Sequence, residues 1–214
     1  YEVDDAKIDI VYSKFGKQVF DFKYGNYRLE RITIHLTGKH QIWNAATALM
    51  GVMILRKAGV EIYEKAVLEG LATTKWPGRL ERLATSPDIV VDGAHNIASA
   101  RALADSVEEY YSGRHIILII GILKDKQVDS ILEILCRLAD TIIVTRPDSD
   151  RAVDTETLFQ KVNGYSSDIM ILDDASAAMA KAIDIAHPSD VIIVSGSLYL
   201  IGEVRKILKH ECLP

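Results

Sequence analysis

The sequence predicts an α/β protein in two parts: a mostly parallel sheet with helices on both faces, preceded by a small β-meander and helices. Three observations predict it. From position 89 onward, short β-branched apolar runs recur at 89–91, 116–120, 141–145, 169–172 and 191–194. Helical stripes lie between or after them: Val128, Ile131, Leu132, Leu135 and Leu138; Ala175, Ala178, Met179, Ala182, Ile183 and Ala186; Leu200, Ile201, Val204, Ile207 and Leu208. Strand, helix, strand at this rhythm implies right-handed crossovers, and continuous apolar strands imply a sheet covered on both faces.

The first third reads differently. Ile8-Asp9-Ile10-Val11-Tyr12 and Val19-Phe20-Asp21-Phe22 are strand-forming, with Lys14-Phe15-Gly16-Lys17 between them. Gly25-Asn26 marks another turn, and Arg31-Ile32-Thr33-Ile34-His35-Leu36 alternates strictly, which predicts three antiparallel strands within 1–36. A helix over 41–57 carries apolar residues on most sides, Trp43, Leu49, Met53 and Ile54 among them, and is expected to be buried in a larger body. The local signals change near Trp76-Pro77-Gly78. We therefore expect one domain remnant over 1–75 and a second domain over 76–214.

Bulk properties exclude several classes. A net charge of −5 leaves no basic field to attract nucleic acid. No apolar run approaches the roughly 20 residues of a membrane helix, and the opening Tyr-Glu-Val-Asp-Asp lacks the regions of a secretory signal. Cys136 and Cys212 match no metal or redox spacing; Cys136 falls in a helical pattern and is expected as a buried free thiol, which favours a reducing cytoplasm. His35, His115, His187 and His210 fit no metal spacing either, and no metal site is expected.

In parallel sheets ligands sit beyond the carboxyl ends of the strands, so the loops there carry the candidates. The first ends in Asp92-Gly93-Ala94-His95-Asn96. A carboxylate in that place suits a ribose hydroxyl or magnesium-bound water, and the following helix N-terminus offers amides to an anion; alternatively Asp92 or Asn96 simply caps the helix. Lys124 and Lys126 pair with an anion or belong to a solvated turn, and Arg146 and Arg151 have the same two readings. Ser195-Gly196-Ser197 opens into the last helix, as a cradle for a carboxylate or phosphate or as an ordinary cap. Arg79, after Pro77-Gly78, either points toward a phosphate or makes a surface ion pair. Gly38-Lys39-His40-Gln41 lacks the earlier glycine and following Ser/Thr of a phosphate loop, and no G-x-x-x-x-G-K-[ST] occurs in the chain.

Taken together, these segments resemble one family. Gly38-Lys39-His40-Gln41 with Asn44-Ala45 and Ala48 is similar to the L-x-G-x-H-Q-x-x-N-A segment of folylpolyglutamate synthases. Trp76-Pro77-Gly78-Arg79-Leu80-Glu81 resembles their P-G-R-L-E linker, and Asp92-Gly93-Ala94-His95-Asn96 their D-G-A-H-N signature. Asp125-Lys126 and Ser195-Gly196-Ser197-Leu198-Tyr199 also fit, whereas Ile97 stands where a proline commonly follows the signature. The resemblance implies a two-domain ligase related to the Mur ligases, its C-terminal domain Rossmann-like and its N-terminal P-loop ATPase domain in the same polypeptide. It implies ATP and Mg2+, a folate and L-glutamate as substrates, and an acyl-phosphate intermediate; dihydrofolate synthase activity is a further option. It assigns Asn44, Arg79 and Asp92 to the nucleotide, His95 to catalysis near the phosphates or the incoming glutamate, and Ser195 and Ser197 to the incoming amino acid. The magnesium ligands are expected mostly in the N-terminal part, so this chain is expected to be the C-terminal part of a cytoplasmic monomer, inactive on ATP by itself. Alternatives are the corresponding half of another Mur-type amino-acid ligase and a non-catalytic nucleotide-binding module.

Overall fold

The structure, a computed structural model, describes residues 5–210, with the side chain of His210 excluded; the opening Tyr1–Asp4 and Cys212 lie outside the described residues. It divides into two compact units that meet at Pro77 and Gly78.

In the first unit, β1 (Lys7–Lys14), β2 (Lys17–Tyr24) and β3 (Tyr27–Ile34) form the antiparallel meander. Alternation along β2, and an irregularity in β3 where Arg31 takes φ +56° between Leu29 and Ile32, put Phe20, Phe22, Leu29, Ile32 and Ile34 on one buried face. Against it lie Ile42, Ala46 and Leu49 of α1 (Lys39–Lys57) and Val67 of α2 (Glu64–Thr73). The amide of buried Gln18 donates to Leu36 O at 2.7 Å and Gly38 O at 3.0 Å, which ties β2 to the start of α1. The sequence pattern asks for α1 to be covered on most sides. One side is packed, while Trp43, Ile54 and Leu55 stand 45–47% exposed on its remaining surface.

The second unit holds a six-stranded sheet in the order β4-β5-β9-β6-β7-β8. Its elements are β4 (Glu81–Ala84), β5 (Asp88–Asp92), α3 (Ile97–Tyr111), β6 (Ile116–Ile120), α4 (Val128–Leu135), β7 (Thr141–Val144), α5 (Thr155–Val162), β8 (Asp168–Ile171), α6 (Ala175–Ile185), β9 (Val191–Ser195) and α7 (Leu198–His210). All neighbours pair in parallel except β4 with β5. Ile89, Val91, Ile117, Ile119, Ile143, Ile192 and Val194 face α6 and α7. The alternate residues Val90, Leu118, Ile142, Val144 and Ile193 are equally buried, on the face covered by α3, α4 and α5. The mostly parallel, doubly covered sheet is thus as the apolar runs predict.

Two elements escape the sequence pattern. Strand β4 is four residues long and sits at the edge, where Glu81 and Arg82 break the apolar signal. Helix α5 has eight residues with only Leu158 and Val162 fully buried, too few for a stripe; Asp154 caps it by accepting Thr157 N–H at 2.8 Å. Cys136 opens a short 3-10 turn and is a fully buried free thiol, as expected. At the amino edge Arg114 clamps two strands. It donates to Asp88 Oδ2 at 2.7 Å, Ser189 O at 2.6 Å and Asp190 O at 2.8 Å.

Candidate functional site at the carboxyl edge of the sheet

Strands β5, β9 and β6 end level with one another, because Asp92, Ser195 and Ile120 are lateral partners. Asp92 closes β5 with only 5% of its surface exposed. Its Oδ2 accepts the Leu80 N–H at 2.8 Å. Burial pushes the carboxyl up to about 6, against the opposing pull of the Leu80 amide, the Arg79 guanidinium, the Ala94 amide and His95. A buried carboxylate is thereby held beside an arginine at the mouth of the sheet.

The turn that delivers Leu80 is unusual. Gly78 has φ +75° and Leu80 φ +40°, left-handed backbone that costs a non-glycine residue roughly 1 kcal/mol or more. Gly78 O accepts Gly93 N–H at 2.9 Å, and Gly78 N–H donates to Glu81 Oε2 at 2.7 Å. The linker is therefore stitched to the Asp92-Gly93 loop on both sides of Arg79, which is itself partly buried.

His95 and Asn96 divide the two roles that the sequence leaves open. Asn96 is the cap of α3: its side chain accepts Ser99 N–H at 2.8 Å, and Ser99 answers with a reciprocal bond. His95 Nδ1 lies 2.7 Å from Gly93 O. A carbonyl only accepts, so Nδ1 carries a proton, and in the tautomer this selects Nε2 is the lone-pair acceptor.

Beyond β9 the hydroxyls turn toward the protein. Ser195 is fully buried and donates to Asp92 O at 2.9 Å, which locks the ends of β5 and β9. Ser197 Oγ accepts Tyr199 N–H at 3.1 Å and caps α7. Between them Gly196 adopts φ +99°, and a Cβ there would meet Gly121 O at 2.7 Å and Ile122 Cγ1 at 2.9 Å. Only glycine fits that approach.

Asp92 therefore gathers Arg79, His95 and Ser195 around itself, with Ser197 two residues along the same loop. Asn44 belongs to the first unit; it is exposed on α1 and donates to Gln41 Oε1 at 3.0 Å. Lys126 pairs with Asp125 at 2.9 Å and Arg151 approaches the same carboxylate at 3.7 Å. A cavity of about 550 Å3 opens beside that loop, lined by Lys124, Lys126, Asp129, Asp154 and Lys161 and by none of the Asp92 group. Leu80 and Glu81 were not singled out from the sequence. Their signal was present in the P-G-R-L-E segment, but an amide contact and a fold-stabilising carboxylate have no compositional signature.

Residues 78–198, more than half of the chain, match the family described as Mur ligase, glutamate ligase domain. The chain belongs to this Mur ligase family. Among curated relatives, the dihydrofolate synthase/folylpolyglutamate synthase of Mycobacterium tuberculosis is 39% identical over 198 residues, which cover 84% of this chain and 40% of that protein. The Bacillus subtilis protein of the same description is 29% identical, covering 91% and 45%. The chain thus spans less than half the length of these relatives. Among solved structures, folylpolyglutamate synthase from Thermotoga maritima superposes with a TM-score of 0.78 at 31% identity, covering 98% of this chain and 48% of that one. The Mycobacterium tuberculosis folylpolyglutamate synthase complexed with ADP and AMPPCP gives 0.82 at 28% identity, covering 94% and 48%. No helix of the described residues is long and apolar enough to cross a membrane.

Proposed function

We propose that this Mur ligase chain works as the C-terminal part of an ATP-dependent ligase that adds L-glutamate to a folate. The observation that carries the reading is the grouping of Arg79, Asp92 and His95 at the carboxyl edge of the sheet, inside segments shared with folylpolyglutamate synthases. Residues 1–75 are then the end of an ATPase domain, and its P-loop portion covers the bare side of α1. The working form is a cytoplasmic monomer.

In this reading Arg79 and Asp92 hold the nucleotide, and Asn44 is assigned a nucleotide contact by the resemblance of its own segment. Asp92 suits the task because its carboxylate is buried and already oriented by Leu80 N–H, so little reorganisation is needed when a hydroxyl donates to it. A carboxylate oxygen of the folate attacks the γ-phosphorus of ATP, the bond to the β-γ bridging oxygen breaks, and ADP leaves. The amine nitrogen of glutamate then attacks the acyl carbon, expelling inorganic phosphate and forming the amide. The amine loses a proton in that step, and His95 Nε2 is a lone-pair acceptor with its ring orientation fixed through Nδ1. The Ser195–Ser197 loop holds the amino acid through its backbone and the remaining donor of Ser197, since Ser195 is committed to Asp92 O.

Magnesium fits this chain less well than the nucleotide does. Among the described residues no three His, Cys, Asp or Glu side chains converge as a metal site, and Asp92 is oriented by backbone amides. In this reading the ion takes its protein ligands mainly from the ATPase part of the ligase, and the 214 residues by themselves do not turn over ATP.

The test is to incubate the complete ligase with ATP, magnesium, glutamate and either tetrahydrofolate or dihydropteroate, and to weigh the products. A folate or pteroate gaining glutamate, lost in Arg79→Ala and Asp92→Ala, is the expected result. Folded protein that extends neither acceptor overturns the folate assignment and directs the search to other Mur-type acceptors.

A further inference from the structure

We infer that Glu81 and Arg205 are positioning residues for nucleotide binding: they fasten the linker turn to α7 and so aim Arg79 at the site. The inference rests on the nucleotide role proposed for Arg79, but its structural part stands by itself.

Four contacts converge on the turn. Glu81 Oε2 accepts Gly78 N–H at 2.7 Å, the residue immediately before Arg79. From 124 positions away, Arg205 Nη2 donates to Glu81 Oε1 at 3.2 Å, with Nε 2.9 Å from Oε2. Both side chains are only 26% exposed, so the pair is shielded from water and salt far more than a surface ion pair. On the other flank of Arg79, Leu80 N–H is held by Asp92. The left-handed φ of Leu80 is a conformation that a non-glycine residue in a free linker would abandon, so something must hold it.

Helix α7 supplies that hold along one face. Leu198, Ile201 and Arg205 follow one another at helical spacing. A Cβ on Gly93 would strike Leu198 Cδ2 at 2.3 Å, and one on Gly78 would touch Ile201 Cγ2 at 3.4 Å. The same helix begins at the Ser195-Gly196-Ser197 loop. One rigid element thus sets the amino-acid loop at its N-terminus and the arginine-bearing turn two helical turns later. Arg205 touches no substrate in this scheme; it acts through Glu81 and the backbone of Gly78.

The test uses Arg205→Met, Arg205→Lys and Glu81→Gln, the last keeping an acceptor for Gly78 N–H. Amide exchange at Gly78 and Leu80 is followed in the 214-residue chain, and ADP affinity is measured by calorimetry in the complete ligase. Arg205→Met is expected to speed exchange at both amides and to weaken ADP about tenfold, the loss produced by misaiming one arginine–phosphate contact. Arg205→Lys restores affinity to within about threefold of wild type, because an ammonium keeps one of the two contacts. Arg114→Met breaks the comparable pair with Asp88 at the opposite edge of the sheet; it should lower the melting temperature and leave ADP affinity unchanged. Exchange that does not respond to Arg205→Met overturns the inference whether or not ADP binds, and Glu81→Gln, which removes the charge but keeps the acceptor, should change it less. Faster exchange with unchanged ADP affinity also overturns it, by making the pair merely structural. A wild-type ligase that binds no ADP instead overturns the nucleotide role of Arg79.

Discussion

Asp92→Asn should make the protein more stable and, under the proposed function, leave the ligase inactive. The carboxyl titrates at about 6 in the fold, against 3.8 in an exposed chain, and burial is the main cause. A raised acid pKa means that the folded state holds the proton more tightly than the unfolded state does. The stability contributed by protonation is therefore complete below pH 3.8 and lost as the pH rises to about 6. At about 1.36 kcal/mol per unit, the ionised group costs the fold about 3 kcal/mol at pH 8, as an upper figure before local relaxation. An amide at this position carries no charge to desolvate and still accepts Leu80 N–H through its oxygen. The Asp92→Asn advantage should then be largest at pH 8, about half as large at pH 5, and absent below pH 3.8. Urea unfolding followed by circular dichroism across this range measures it, with amide exchange in β5 and β9 assigning the transition to the second unit. An advantage that does not change with pH, or that grows on acidification, refutes the argument from burial. A fold that keeps a costly carboxylate where an amide would be cheaper is expected to use it, and loss of ADP binding in the same variant completes the prediction.

Three further outcomes follow from particular contacts. Gly196→Ala forces a Cβ onto Gly121 O in a left-handed backbone, and strain and overpacking together cost about 3 kcal/mol; a melting temperature lowered by about 10 °C is expected, and an unchanged one refutes the close approach. His95 should show the Nδ1–H tautomer in nitrogen NMR at neutral pH, and an Nε2–H signal would contradict the bond to Gly93 O. Cys136 is fully buried and its thiol is pushed up to about 12, so peptide mapping should find it unalkylated by iodoacetamide until urea is added.

Much of the second unit is legible in the sequence. Its central strands are buried on both faces, so nearly every residue from 116 to 120 and from 191 to 194 is apolar and β-branched, and periodicity alone marks them. The loops that follow them carry Asp92, His95 and Ser195, and the rule that ligands sit at carboxyl ends directs attention there. Strand β4 and helix α5 were not legible, because an edge strand and a two-turn helix bury too few side chains to leave a period. Along α1 the pattern correctly showed too many apolar faces, yet it could not say which would be packed on the meander and which, with Trp43, would stand bare.

The sequence by itself determined the alternation of strands and helices, the antiparallel meander before them, and the set of chemical groups available at the sheet's edge. These are local properties, written in side-chain polarity at periods of two and three to four residues. Tertiary structure alone decided what each group does with its hydrogen bonds. Ser195 looked like a ligand donor and is instead spent on a carbonyl 103 positions away. Asp92 reads from the sequence as either a ligand carboxylate or a cap; it is not the cap, and the fold buries it with its Oδ2 held by Leu80 N–H. Glu81 stands in the sequence only as the end of the P-G-R-L-E segment, and the fold pairs it with Arg205. Hydrogen bonds and desolvation depend on distances of a few ångströms between segments far apart in the chain, and no pattern within either segment encodes that distance.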